Sequence, residues 1–139
     1  MQLSTDEIRF LRRVSVMPRF PLVRYELRNS RERSLSSIAL NHVFLKRPTD
    51  TMEQVKERAA VIQGLEEKGL VSLDYHLFVT VRSDYRVYEE SRIFSELCDL
   101  VMEAKYRPGY LFDTAYVKRG MATLTPAGRA VLERLLEQR

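Results

Sequence analysis

Residues 64–82 read GLEEKGLVSLDYHLFVTVR, and two periods meet inside them. Gly64 to Lys68 ends a helical pattern, and Lys68 followed by Gly69 is the cation-then-glycine close of a helix C-terminus. From Val71 the period changes. Val71, Leu73, Tyr75, Leu77, Val79 and Val81 alternate with Ser72, Asp74, His76, Phe78, Thr80 and Arg82, Phe78 being the apolar exception in the polar phase. Period two held over Val71–Arg82 predicts one long strand.

On the N-terminal side, Asp50 is read as the cap of a helix Asp50–Lys68, with Glu53 in the reciprocal position and Met52, Val55, Ala59, Ile62 and Leu65 as its inward stripe. Ser34 is read as the cap of a preceding helix carrying Leu35, Ile38, Ala39, His42 and Val43, stopped by Lys46, Arg47 and Pro48. Asn29 to Ser34 is a polar loop. Before it, Val23, Tyr25 and Leu27 alternate with charged residues, which fits a short strand and leaves a helix open. Ser4 and Glu7 have the spacing of a capping box, so residues 4–16 are expected to be helical. On the C-terminal side, Ile93, Leu97, Leu100, Val101 and Ala104 predict a helix over about 89–106, ended by Pro108-Gly109. Thr114 to Thr125 reads as one or two extended pieces interrupted near Arg119-Gly120. Thr125-Pro126 opens a terminal helix to about Gln138.

The chain has 139 residues, enough for one hydrophobic core, so a single domain over 1–139 is expected. Hydrophobic residues make up 45% and charged residues 30%, which excludes a disordered or collagenous chain. No apolar run has the length of a membrane span, and MQLSTDEIRF lacks the basic and apolar regions of a secretory signal. Cys98 stands alone and cannot form an internal disulfide; a cytoplasmic location is the expectation. The net charge of +4 is unevenly spread: +5 over residues 1–50, −3 over 51–110 and +2 over 111–139. That field permits nucleic-acid association without requiring it.

Two strings carry a family resemblance. GLEEKGLVSLDY, Gly64 to Tyr75, resembles the end of the recognition helix and first wing strand of prokaryotic winged-helix transcription regulators. LTPAGRAVL, Leu124 to Leu132, resembles the end of the last wing strand and the following helix of the same families. The resemblance spans about Ser34–Val81 and Thr114–Gln138. It implies an α+β, mostly helical fold: a winged helix-turn-helix with core segments at about 34–82 and 114–138. It departs from the family pattern at about 83–113, where an extra helix (about 85–106) is inserted between the two wing strands.

The functional expectation is a DNA-binding transcriptional regulator. Residues before the recognition helix and at the wing tip would meet backbone phosphates: Lys46, Arg47, Thr49, Thr51, Lys118 and Arg119. Gln54, Lys56 and Arg58 on the recognition helix would approach base edges. Against this, Glu53 and Glu57 occupy the centre of the face that would meet the polyanion. The alternative is a winged-helix protein-interaction module that binds no DNA. The inserted helix is apolar on more than one side, so a homodimer is expected through Tyr88, Ile93, Phe94, Leu97 and Val101. A small-molecule effector in a dimer cleft is compatible with the sequence, and no residue names one.

Enzymatic chemistry is not expected. No phosphate-binding glycine loop and no nucleophile elbow is present, and His42, His76 and Cys98 are too few for a Cys/His zinc site. No cofactor is implied. His42 on a helix and Cys98 inside an apolar helix read as packing residues.

Overall fold

The computed structural model describes residues 2–137. Five helices and four strands follow one another as α1 (Thr5–Val16), β1 (Phe20–Arg28), β2 (Ser36–Val43), α2 (Met52–Glu67), β3 (Val71–Asp74), a 3-10 turn (Arg82–Tyr85), α3 (Arg86–Glu89), α4 (Arg92–Ala104), β4 (Thr114–Leu124) and α5 (Pro126–Glu137). The fold is α+β, with one antiparallel sheet in the order β2-β1-β4-β3. Among the described residues no helix is long and apolar enough to cross a membrane.

α1 begins as expected. Ser4 Oγ accepts from the Glu7 amide at 3.1 Å and Glu7 Oε1 accepts from the Ser4 amide at 2.9 Å. α2 also opens on a capping box, but one residue later than expected. Thr51 is the cap and Gln54 its reciprocal partner, because the Asp50 carboxylate is occupied by the amides of Lys46 and Arg47. At the other end of α2, Gly69 has φ +72°, and the amides of Gly69 and Leu70 close on the carbonyls of Glu66 and Leu65. This is a Schellman ending, in which glycine takes a left-handed conformation that a side chain would strain.

Four elements differ from expectation. The segment expected to be a helix from Ser34 forms β2 (Ser36–Val43), a strand, so among the described residues no helix lies between β1 and α2 and the expected helix-turn-helix pair is not formed. β1 presents an open edge along its length, and Ser36, Ser37 and Ile38 lack the propensity to resist pairing with it. The pairing is irregular, with register shifts between Val23 and Glu26, and His42 sits at φ +49°.

The long alternating strand is short. β3 stops at Asp74, whose Oδ1 accepts from the His76 amide at 2.8 Å; this local bond competes with the ladder. Its pairing with the late extended segment is nevertheless as expected, from Val71↔Leu124 to Asp74↔Met121. β4 in turn runs uninterrupted through Arg119-Gly120. Gly120 is there for space: a Cβ would lie 2.5 Å from Cδ1 of the Tyr75 ring. The predicted helix 89–106 is broken at Ser91, a buried residue whose Oγ caps α4 through the Phe94 amide. Thr125 caps α5 as expected, and Gln138 lies outside the described residues.

Alternation along β1 separates two cores, one on each face of the sheet. Phe20 and Leu22 join Phe10, Leu11 and Val14 of α1, Ile62 and Leu65 of α2, and Leu132 of α5. Val23 and Tyr25 join Val55 of α2, Tyr85, Tyr88, and Ile93 and Leu97 of α4. The two strings that carry the family resemblance touch each other. Thr125 donates its amide to Leu70 O (3.2 Å) and its hydroxyl to Gly69 O (2.6 Å). A Cβ on Gly128 would stand 2.0 Å from that same Leu70 oxygen.

Candidate functional site

Positive charge gathers where α1 leans on α2. Arg9 and Arg13 lie one helical turn apart on α1 and so share a face. Lys46 comes from the loop after β2, and Gln54, Glu57 and Arg58 from α2; with Phe10, Phe44, Val61 and Asp6 they line a cleft of about 260 Å³.

Asp50 organises its floor. The carboxylate is buried, and one oxygen accepts from the Lys46 amide (2.7 Å), the Arg47 amide (3.2 Å) and Arg58 Nη1 (2.6 Å). Burial alone would raise its pKa; the Arg58 bond and the two amides outweigh burial and hold it below the usual carboxylate range. Arg58 also donates to Phe44 O at 3.1 Å. Asp50 is therefore committed to the fold. Arg9 pairs with Asp6 at 3.5 Å, whereas Arg13 and Lys46 form no ion pair among the described residues. Desolvation, then the charges of Arg13, Arg58 and Arg9, lower the Lys46 pKa, and Asp50 only partly offsets them. Burial and the neighbouring cations both disfavour the charge on Lys46, while Asp6 and Glu57 add carboxylates to the same lining.

The expected phosphate and base residues divide into two groups. Lys46, Gln54 and Arg58 converge on the cleft, with exposed Arg47, Thr49, Thr51 and Lys56 around the same end of α2. Thr51 Oγ1 and Gln54 Oε1 are used in capping, and Arg58 is tied to Asp50, so it does not project toward a base edge. Lys118 and Arg119 are elsewhere. They lie inside β4 opposite Arg24 and Val23, not at a hairpin tip, because the chain between β3 and β4 is folded as helices. Arg119 donates to Thr80 Oγ1 (2.7 Å) and to Glu89 Oε1 (3.1 Å).

The residues expected at a dimer contact are in the interior of one chain. Tyr88, Ile93 and Leu97 are buried in the second core, Val101 is buried further along α4, and Phe94 stacks on Tyr25 at 5.4 Å between ring centroids. The sheet face that α4 covers was invisible while β2 was read as a helix.

Sequence reasoning missed Arg9 and Arg13, although their i, i+4 spacing on a capped helix was a readable signal. It also misplaced His42, which is buried on β2. Its Nδ1 is 2.7 Å from the Tyr75 hydroxyl and its Nε2 is 2.7 Å from Gln63 Oε1. Gln63 donates its amide to Glu67 Oε1 at 3.2 Å, which fixes its oxygen toward the imidazole. Nε2 therefore carries a proton toward Gln63, and in the neutral ring Nδ1 accepts from the Tyr75 hydroxyl. Burial lowers its pKa, opposed by Gln63 and Glu66 and reinforced by Arg24. Cys98 is half-buried and its thiol is pushed up by burial, then by Asp99. Among the described residues no group of three or more His, Cys, Asp or Glu is placed to hold a metal ion.

Fold and cleft together define a small α+β protein with a cationic cleft at the head of its longest helix. Compared with known proteins, the chain matches no family model, no curated protein and no solved structure.

Proposed function

We propose that this protein binds double-stranded DNA as a transcriptional regulator, with the cleft between α1 and α2 seating a backbone phosphate. The observation that carries the reading is the pair Arg13 and Lys46: two cations facing one cleft without a carboxylate partner, beside an Asp50 already consumed by the fold. Arg47, Thr49 and Lys56 extend the positive margin, and Gln54 Nε2 together with Lys56 is the part of α2 free to approach a groove. A distant winged-helix relationship belongs to the same proposal. The β1-β4-β3 order and the glycine-ended α2 before β3 support it, while β2 in place of the second helix opposes it.

Phosphate contacts release counterions, so affinity falls with salt at a log–log slope of about −0.9 per neutralised phosphate. Replacing Arg13 and Lys46 together by alanine should flatten that slope by about 1 on a generic duplex, the value for one phosphate lost, and replacing Lys105 just after α4 should leave it unchanged. No binding at low salt defeats the DNA reading and leaves the protein-interaction module. Binding with an unchanged slope in Arg13→Ala/Lys46→Ala removes the cleft as its site.

A further inference from the structure

Among the described residues β4 has a length of edge that no strand covers. On one side it pairs with β1 from Thr114 to Ala122; on the other β3 covers only Met121 to Leu124. From Thr114 to Gly120 the second side therefore has no strand. Continuing the β3 register would set Tyr75 against Gly120, His76 against Arg119, Leu77 against Lys118 and Phe78 against Val117. The alternation of Val71–Arg82 is the pattern such a strand requires. Instead the chain turns aside. Phe78 is 102% exposed and Val79 87% exposed. Between this segment and β4 lies a cleft of about 500 Å³, with Leu77, Thr80, Phe94, Ala115 and Val117 among its walls.

The segment is slack. Asp74 stands opposite Met121, yet Thr80 has reached only as far as Arg119, whose Nη1 donates to its hydroxyl. Six residues advance two positions along β4. The downstream end is pinned, because the Tyr85 hydroxyl donates to Gly120 O at 2.7 Å.

We propose that Tyr75–Phe78 is a strap that closes onto β4 as a continuation of β3, carrying Phe78 into the cleft beside Val117 and Phe94, and that the Arg119–Thr80 bond holds it open. Paired residues share a face, so Phe78 would join the face of Val117 and Ala115, which borders the second core. The chain is long enough with Tyr85 in place. Val79 to Asp84 would need to return across three β4 positions, about 10 Å, and six residues reach about 20 Å.

The chain contains no tryptophan, so Phe78→Trp gives a single emitting reporter. Acrylamide quenching and emission are compared in Phe78→Trp and Phe78→Trp/Thr80→Val. Amide exchange at Leu77 and Phe78 is compared in the unlabelled chain with and without Thr80→Val. Removing the Thr80 hydroxyl should shift emission to the blue, lower quenching about threefold and slow both amides at least about tenfold. Unchanged quenching and exchange in folded variants overturn the proposal. A blue shift without amide protection overturns it as well, since Phe78 would then be buried without joining the sheet.

Discussion

Gly128→Ala separates packing from helix propensity, because the two predict opposite signs. Alanine inside a helix is favoured over glycine by up to about 1 kcal/mol. At position 128, however, the new Cβ would stand 2.0 Å from Leu70 O, well inside van der Waals contact. Helix α5 must back away by more than 1 Å, about the shortfall from an ordinary contact. That movement stretches the 3.2 Å bond from the Thr125 amide to Leu70 O and the 2.6 Å bond from its hydroxyl to Gly69 O. Each contributes about 1 kcal/mol, and overpacking adds about 1–3 kcal/mol. After subtracting the helical gain, the variant should be about 3 kcal/mol less stable, lowering Tm by about 10 °C. Gly64→Ala is the matched control. Its Cβ would meet only Glu7 Oε2 at 3.6 Å, an ordinary contact, so it should gain up to about 1 kcal/mol. Urea and thermal unfolding of both variants measure the pair. A Gly128→Ala protein as stable as the parent would refute the close approach of α5 to Leu70.

Two further substitutions probe the buried polar groups. His42 binds its proton less readily folded than unfolded, so stability should be complete above the free imidazole value of 6.5 and fall as pH drops through and below it. His42→Asn, which tolerates the left-handed backbone, should flatten that fall in urea midpoints between pH 7.5 and 5.5; an equally steep fall places the proton elsewhere. Tyr25 donates to Tyr88 O at 2.7 Å, and Ser91 Oγ lies 3.1 Å from the same oxygen, able to donate to it, and 2.8 Å from the Tyr25 hydroxyl. Tyr25→Phe alone should cost about 1 kcal/mol because Ser91 still serves that carbonyl. With Ser91→Ala, the loss should exceed the sum of the single variants by about 1 kcal/mol; strict additivity would show that the two hydroxyls do not back each other up.

What was legible in the sequence was local chemistry with one dominant signal. Ser4/Glu7, Lys68-Gly69 and Thr125-Pro126 each mark a helix end through their own backbone bonds, and each falls where the structure has it. Strand β2, Ser36–Val43, was not legible. Its apolar spacing fits a helix, and only the presence of β1 alongside makes it a strand. The alternation after Val71 is a strand pattern but not a completed strand, since the Asp74 carboxylate takes the His76 amide where the ladder stops and Arg119 bonds Thr80 further along. The cleft was half legible. Lys46, Gln54 and Arg58 follow from proximity to the start of α2, whereas Arg9 and Arg13 arrive through tertiary packing of a helix whose place was not fixed. The residues expected at a dimer contact pack within one chain because α4 covers the sheet at β4, an arrangement the sequence of α4 alone does not reveal.

The strand nearest the C-terminus lies between β1 and β3, nearly a hundred residues downstream of the first. A ribosome delivering this chain would release β1, β2 and β3 well before the piece that joins them. Until then the nascent polypeptide holds a lone hairpin and helices without a common floor, so the sheet closes only after β4 has emerged. Such distant pairings slow folding and lengthen the interval in which unfinished edges meet other molecules, making this a chain with more need of chaperones than its size implies.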